Sequence, residues 1–237
     1  MTTRLQALCF DANDPDRLAR FWGGVLGLEV ADDPSGGRVL LPKDELGFRL
    51  RFLPVPNEKW GPNRMHFDLT SATLEQQQET VARALELGGR HHDVGQLPED
   101  LHVVLADPEG NEFCVIEPGN NFLTDTGAIG AVSSDGSQEV GYFWSKALDW
   151  PLVWDQDEET AIQSPRGGSK VSWGGPPYGE KKGRNRLQFE LAPLAGGDVR
   201  TEADRLVALG ATLVGDVDGG VELTDPDGNE FRVVAGS

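Results

Sequence analysis

His66 and Asp68 lie two positions apart in the segment NRMHFDL, residues 63–69. Side chains two positions apart on a strand point to the same face, so these two groups would face the same space. Imidazole exchanges a proton near neutral pH, and a carboxylate beside it can orient the ring or share its proton. We therefore predict His66 and Asp68 as a catalytic pair for acid–base chemistry. The alternative is a histidine that is only hydrogen-bonded inside the sheet.

Four further polar residues are predicted to face the same space as this pair. Arg64 precedes His66 by two positions. The similar segment NRLQFEL carries Arg186, Gln188 and Glu190 in the matching positions. Charges of both signs on one face can orient a polar ligand through hydrogen bonds. We predict these four residues as ligand contacts.

Cys114 and Arg232 occupy equivalent positions, each just after a turn of sequence DPEGN or DPDGN. A guanidinium can bind a carboxylate or a phosphate through two parallel hydrogen bonds. It can equally pair with Glu190 or Glu230 of the protein itself. A cysteine reacts as the thiolate, whereas buried cysteines more often serve as small apolar side chains. Both residues are predicted as ligand contacts, with these structural roles as the alternatives.

Aromatic side chains in and near Pro- and Gly-rich loops are candidate walls of a ligand pocket. Trp60 lies in PVPNEKWGPN, and Phe48 lies on an adjacent strand. Trp173 and Tyr178 lie in the corresponding later segment, SWGGPPYGEKKGRN. Aromatic rings of this kind line planar apolar pockets. They can equally cap the exposed ends of sheets.

The overall charge is strongly negative, with 21 basic and 39 acidic residues and a formal net charge of −18. Such a surface repels the phosphate backbone of nucleic acids, so we predict no nucleic-acid partner. Lys181, Lys182, Arg184 and Arg186 form a local exception. This basic cluster is either an entry for an anionic ligand or a solvated loop.

The sequence shows no segment typical of membrane or secreted proteins. No apolar run approaches the roughly 20 residues needed to span a bilayer. The N-terminal stretch lacks the apolar region of a secretory signal. The two cysteines, Cys9 and Cys114, suggest no disulfide framework. We therefore predict a soluble, cytoplasmic protein with no membrane partner.

The chain contains the same unit twice. The Phe-Trp pair at 21–22 and the segment NRMHFDL at 63–69 recur, in similar form, 122 positions later. The block DPEGNEF at 107–113 recurs 118 positions later as DPDGNEF. Matches in the same order indicate an internal duplication. We predict a first module over residues 1–119, a linker over 120–127 and a second module over 128–237.

Apolar periodicity and turn residues predict the same order of elements in each module. A helix is predicted behind Asp14-Pro15, with Gly27 able to end it. A second helix is predicted over 73–87. Strands are predicted at 4–11, 38–42, 47–53, 64–70, 101–106 and 112–117. The fold class is α+β, and each module reads β-α-β-β, loop, β-α-β-β.

The sequence resembles the vicinal oxygen chelate superfamily, which includes glyoxalase I, bleomycin-resistance proteins and extradiol dioxygenases. The resemblance rests on DANDPDRLARFWGGVLGLEV, on the NRMHFDL and NRLQFEL pair, and on the two DPxGNEF turns. The resemblance covers both halves of the chain, and the sequence is most similar to the glyoxalase-like domain branch. It implies two tandem pairs of βαβββ modules, whose curved mixed sheets form a cup with small molecules bound on its concave face.

The resemblance also implies three recurring strand positions for a divalent metal. In the two copies these positions hold Ala7 and Ile129, His66 and Gln188, and Cys114 and Arg232. Alanine and isoleucine offer no donor atom, and the permanent charge of arginine opposes a dication. The remaining donors are divided between the copies. We therefore predict no metal and no other cofactor, with a divalent metal as the disfavoured alternative.

We predict a cytoplasmic, bacterial glyoxalase-like protein that binds a small organic molecule without the usual metal. It would sequester that ligand or assist a proton transfer through His66. The alternative is a metal-dependent lyase, isomerase or dioxygenase of the same superfamily. A structural or regulatory binding subunit is a third class, for which the sequence offers no positive feature. The expected partner is the small-molecule ligand, and a homodimer is left open.

Overall fold

The computed structural model describes residues 3–56, 58–97, 99–179, 181–194 and 196–236, which form four βαβββ units. Each unit consists of one strand, one helix and three further strands. Each of the two sequence copies supplies two units. The predicted α+β class and the paired βαβββ modules are therefore confirmed.

The first copy supplies the first two units. The first unit contains β1 (Thr3–Ala12), α1 (Pro15–Leu26), β2 (Val30–Asp33), β3 (Gly37–Leu40) and β4 (Arg49–Pro54). The second unit contains β5 (Met65–Leu69), α2 (Leu74–Glu86), β6 (Arg90–His91), β7 (Val103–Ala106) and β8 (Glu112–Val115).

The second copy follows a short 3-10 helix (Asn121–Leu123), which lies in the segment predicted as a linker. The third unit contains β9 (Ile129–Ser134), α3 (Gln138–Leu148), β10 (Leu152–Gln156), β11 (Glu159–Gln163) and β12 (Lys170–Trp173). The fourth unit contains β13 (Leu187–Pro193), α4 (Val199–Leu209), β14 (Thr212–Val217), β15 (Gly220–Thr224) and β16 (Glu230–Val234).

Two eight-stranded sheets each combine one unit from each copy. Sheet A has the order β14-β15-β16-β13-β1-β4-β3-β2, and sheet B has the order β10-β11-β12-β9-β5-β8-β7-β6. The copies join through the antiparallel pair β1 and β13 in sheet A and through β5 and β9 in sheet B. The two copies therefore share both sheets.

Strand alternation gives each sheet an apolar face and a polar face. On β5, Met65, Phe67 and Leu69 are buried in the core with apolar side chains of the helices. His66 and Asp68 point to the opposite face because side chains alternate along a strand. We call the faces directed away from the helices cup face A and cup face B, after their sheets.

The repeated DPxGN block is a turn that ties the two units of each copy together. Asp107 Oδ2 accepts hydrogen bonds from Asn111 Nδ2 at 2.8 Å and from Trp22 Nε1, on α1, at 3.1 Å. Asp225 accepts the equivalent bond from Trp144, on α3, at 3.2 Å. Burial raises the pKa of Asp107 to about 6, although these hydrogen bonds oppose the change. Each turn thus fixes a helix of one unit against the strands of the next.

The observed elements of the first copy agree with the predicted ones to within a few residues. Asp14 caps α1 by accepting a hydrogen bond from Arg17 N, and Gly27 ends the helix in the left-handed conformation at φ 64°. The short strands β2 and β6 lie outside the predicted set. Their sequences, VADD and RH, carry no apolar alternation that would reveal a strand.

No helix among the described residues has both the length and the apolar character needed to cross a membrane.

Replacing Asp107 with Ala should destabilise the fold, because Trp22 and Asn111 would lose a buried acceptor. Each buried donor left unsatisfied costs about 1–3 kcal/mol, so the loss of an acceptor for two donors should lower the free energy of unfolding by about 2–6 kcal/mol. Urea unfolding followed by circular dichroism measures the change. Asp225→Ala should give a similar loss, and the exposed control Asp218→Ala should give almost none. Equal stability of the Asp107 and Asp218 variants would contradict the anchoring role of the turn.

Candidate functional site

Cup face B brings together polar side chains from four neighbouring strands. His66 on β5 pairs with Ser133 on β9, and Ser133 pairs with Ser172 on β12. Asp68, two positions further along β5, pairs with Cys114 on β8. Because strand pairing fixes each neighbour, the backbone holds these five side chains close together.

Hydrogen bonds connect this group through Asp68. His66 Nε2 lies 3.5 Å from Asp68 Oδ1, and Ser133 Oγ donates to Asp68 Oδ2 at 2.5 Å. Ser133 Oγ also lies 3.1 Å from Ser172 Oγ. Ser133 therefore holds the carboxylate of Asp68 in position beside the imidazole of His66.

The electrostatic surroundings favour a protonated His66. Burial opposes a charge on the ring, but hydrogen bonds to Asp68 and Cys114, together with attraction by the Asp68 carboxylate, raise the pKa of His66 to about 10. Burial raises the pKa of the Cys114 thiol. Near neutral pH, His66 is therefore an imidazolium that donates hydrogen bonds beside a neutral thiol. An unperturbed histidine would instead supply a neutral base.

A pocket of about 410 Å³ opens over this part of cup face B. His66, Ser133 and Ser172 line it, together with the aromatic side chains of Trp154 and Phe122. Trp154 is 41% exposed and belongs to β10, the edge strand of the sheet. Apolar walls with a few converging polar groups are typical of sites for small molecules.

The donor atoms of His66, Asp68 and Cys114 all lie within 4.8 Å of one another. One nitrogen, one oxygen and one sulfur donor suit a borderline divalent metal such as Zn²⁺ better than Mg²⁺ or Ca²⁺. Ser133, by bonding the second oxygen of Asp68, resembles the outer partners that orient metal ligands. The donors are not divided between the copies as the sequence suggested, because all three belong to the first copy and Asp68 joins the set.

Cup face A carries ion pairs in the corresponding region. Arg51 on β4 binds both oxygens of Asp33, at 2.7 and 2.8 Å, and also contacts Glu190. Cys9 Sγ lies 3.6 Å from Glu190 Oε2, the same oxygen that Arg51 contacts, and burial raises the pKa of this thiol. Glu190 is therefore a buried partner of Arg51, whereas its equivalent in the repeat, Asp68, faces His66.

The other predicted residues of cup face A join a second set of ion pairs. Arg184 binds both oxygens of Glu222, at 2.9 and 2.5 Å, and donates to Gln188 at 2.8 Å. Arg232 Nε lies 3.7 Å from Glu222. Gln188 and Arg232 are the counterparts of His66 and Cys114, so sheet A has charge pairing where sheet B has the histidine group.

Two of the predicted aromatic residues occupy other surroundings than expected. Trp173 belongs to β12, not to the loop that follows it, and only 2% of its surface is exposed because it packs in the core. Phe48 lines a separate pocket of about 330 Å³ near residues 125–129. Trp173 nevertheless contributes to the lining of the pocket on cup face B, whereas Phe48 does not line that pocket.

The remaining predicted contacts gather between the loops that precede β5 and β13. Trp60, Arg64 and Arg186 line a pocket of about 280 Å³ there. Tyr178 lies beside it, with its ring centroid 5.9 Å from the guanidinium carbon of Arg64. The predicted ligand contacts therefore divide among cup face B, cup face A and this inter-loop pocket.

Ten of the residues that line the pocket on cup face B lie outside the predicted set, among them the carboxylates Asp135 and Glu159 as well as Phe122, Ser133, Trp154 and Ser172. Ser133, Trp154 and Ser172 belong to β9, β10 and β12 of the third unit. The alternation of side chains along each strand could have predicted which face of its strand each residue occupies. Only the pairing of β5 with β9, which joins distant parts of the chain, shows that this face is the one that carries His66.

Four βαβββ units arranged in two open sheets, with a polar group at the centre of one cup face, define a protein of the glyoxalase fold. The sequence pattern of the Glyoxalase-like domain family matches residues 7–116 and 131–234. The chain belongs to this family, and both copies take part in the match. The predicted membership of the wider vicinal oxygen chelate superfamily is confirmed.

Two solved structures that each match 99% of this chain agree with this fold. Glyoxalase I from Zea mays is similar at a TM-score of 0.71 and 16% identity, over 99% of this chain and 92% of that chain. A candidate dioxygenase from Bacillus subtilis is similar at 0.64 and 12% identity, over 99% and 85%. A glyoxalase/bleomycin resistance protein/dioxygenase family enzyme from Burkholderia phytofirmans, with a TM-score of 0.38 and 20% identity, covers 47% of this chain and 95% of its own. No curated protein matches the sequence.

The titration of His66 should show the effect of Asp68 directly. We expect its ring signals in NMR spectra to titrate with a midpoint near 10. Asp68→Asn should move the midpoint down towards the usual value of about 6.5. Because the folded-state pKa is raised, His66 stabilises the protein below about pH 6.5, and this contribution is lost as the pH rises towards 10. A wild-type midpoint near 6.5 would contradict the ion pair.

Proposed function

We propose that the protein binds a small organic molecule in the pocket on cup face B, where His66 donates a hydrogen bond to it. The pocket of about 410 Å³ over His66, walled by aromatic side chains, is the observation that carries the proposal. A cavity of this size accommodates a small ligand.

The chemistry of the lining indicates the kind of ligand. His66 in its imidazolium form and the hydroxyl of Ser172 offer hydrogen bonds to an oxygen acceptor, whereas the hydroxyl hydrogen of Ser133 is donated to Asp68. Trp154 and Phe122 favour an apolar or aromatic body beside that oxygen. A small aromatic or aliphatic compound with an uncharged carbonyl oxygen fits both requirements, because the carboxylates of Asp135 and Glu159 also line the pocket.

Either of two outcomes follows binding. A ligand that is held and released unchanged is sequestered. A ligand with an acidic C–H beside its carbonyl can instead transfer that proton to a carboxylate of the pocket lining, Asp135 or Glu159, while an imidazolium at the carbonyl oxygen stabilises the negative charge that develops there. His66 is then the hydrogen-bond donor, and Asp68, fixed by Ser133, keeps the ring charged and oriented.

A metal-dependent lyase, isomerase or dioxygenase is the second candidate, favoured by the cluster of His66, Asp68 and Cys114. A bound divalent ion would act as a Lewis acid on an oxygen of the ligand. Metal ligation requires a neutral imidazole and a thiolate, whereas the raised pKa values of His66 and Cys114 keep both side chains protonated near neutral pH. Metal binding would therefore release protons and strengthen steeply as the pH rises.

Trp154 gives a direct test of the binding site. Small uncharged aromatic ketones that raise the melting temperature in a thermal-shift screen should quench tryptophan fluorescence. Trp154→Ala should then weaken their binding by about tenfold or more, since it removes a large aromatic wall. Trp60→Ala is the matched control, because Trp60 lines the inter-loop pocket. Equal affinity of wild type and the Trp154 variant for every hit would contradict this location.

Metal analysis separates the two candidate functions. The metal-free proposal expects the purified protein to contain well below one transition-metal ion per chain by mass spectrometry. Titration with Co²⁺ adds a second readout, because thiolate ligation by Cys114 produces charge-transfer absorption that Cys114→Ser would abolish. Stoichiometric metal that is lost in both His66→Gln and Cys114→Ser would replace the metal-free proposal with the metal-dependent one.

A further inference from the structure

The inter-loop pocket lies between two segments that the sequence repeat makes equivalent. The loop before β5 and the loop before β13 line its two sides, with residues 58–65 on one side and residues 179 and 181–187 on the other. Lys59, Asn63 and Arg64 occur on one side, and their counterparts 122 positions later occur on the other. Among the described residues, none lines both this pocket and the pocket on cup face B.

Most of the charged groups around the pocket are paired in the same way on both sides. Lys59 Nζ lies 2.6 Å from a carboxylate oxygen of Glu112, and Lys181 Nζ lies 2.7 Å from Glu230. Both lysines are therefore neutralised by glutamates at equivalent positions of the copies. They add little net charge to the pocket.

Arg64 breaks this symmetry. Its counterpart Arg186 forms an ion pair with Glu109, and both side chains are almost fully buried. At the position equivalent to Glu109, Asp227 accepts hydrogen bonds from the backbone and hydroxyl of Ser137, at 2.6 and 2.9 Å. The guanidinium of Arg64 stacks on Tyr178 instead, and its buried Nε has no hydrogen-bond partner among the described residues.

Lys182 adds a second positive charge on the opposite side. It occupies the position equivalent to Trp60 and is exposed, with no acidic side chain within ion-pair distance among the residues described. Trp60 itself is 73% exposed at the pocket wall. Glu58, which is also exposed, is the acidic member of the lining among the described residues. The pocket thus offers unneutralised positive charge beside a solvent-facing indole, in a protein of net charge −18.

We propose that the inter-loop pocket is a second ligand site, which binds a small organic oxyanion carrying a planar aromatic group. The guanidinium N–H groups of Arg64 and the ammonium of Lys182 bind the carboxylate or phosphate oxygens. The indole of Trp60 contacts the planar group. This site is independent of the ligand bound above His66.

Phenyl phosphate, benzoate and inorganic phosphate, titrated by calorimetry at low salt, test the proposal on the full chain. We expect phenyl phosphate or benzoate to bind more tightly than inorganic phosphate. Arg64→Gln and Lys182→Gln should each weaken binding of the aromatic anion by about tenfold, which corresponds to the loss of one charge-assisted contact. Trp60→Ala should weaken the binding of the aromatic anion while leaving the binding of inorganic phosphate unchanged.

Two controls make the result specific. Lys146→Gln removes one positive charge from an exposed position on α3 and should leave binding unchanged. Trp154→Ala, in the pocket on cup face B, should also leave it unchanged. Absence of binding at millimolar concentration, or an equal effect of Lys146→Gln and Lys182→Gln, would overturn the proposal. Since Lys182 is exposed, its variant remains informative even if Arg64→Gln impairs folding.

Discussion

The antiparallel pairing of β5 with β9, and of β1 with β13, is the constraint on which the rest of the structure depends. Each pairing joins a unit of one copy to a unit of the other. It sets the register that places Ser133 opposite His66, and it leaves the apolar faces of β1, β5, β9 and β13 in the core with the helices. A shift of the strand register by one residue would move the apolar side chains from the core to the cup face. Burial of the core therefore also fixes which side chains face the site.

The two sheets carry one framework with two kinds of chemistry. In sheet B a histidine, a carboxylate and a thiol lie beside an open pocket. In sheet A the corresponding strands carry Arg51, Glu190 and their partners in close ion pairs. Taking one member away from a buried pair leaves an uncompensated charge and is strongly destabilising. Cup face A is therefore better suited to stabilising the fold, and cup face B is better suited to binding a ligand.

Local rules made much of the fold predictable from the sequence. The Asp14-Pro15 start and Gly27 end of α1, the alternation around His66 and the DPxGN turns all follow from short-range preferences. The residues that line the pocket on cup face B could not be predicted in the same way. Trp154 and Ser172 come close to His66 only because the strands of the sheet pair, and they lie about 90 to 110 residues away from it in the sequence. The raised pKa of His66 likewise depends on Cys114 from another strand, which spacing alone could not reveal.

The shared sheets also bear on how such a chain can change over evolutionary time. A single copy on its own would present two unpaired strand edges, on β1 and on β5, and such edges bind other strands readily. An assembly of two identical single-copy chains would satisfy both edges, but it would carry the same residues on both cup faces. When the two copies are joined in one chain, the two cup faces no longer have to carry the same residues. One face can then keep a histidine while the other acquires Gln188 and Arg232, because a substitution in one copy no longer appears in both.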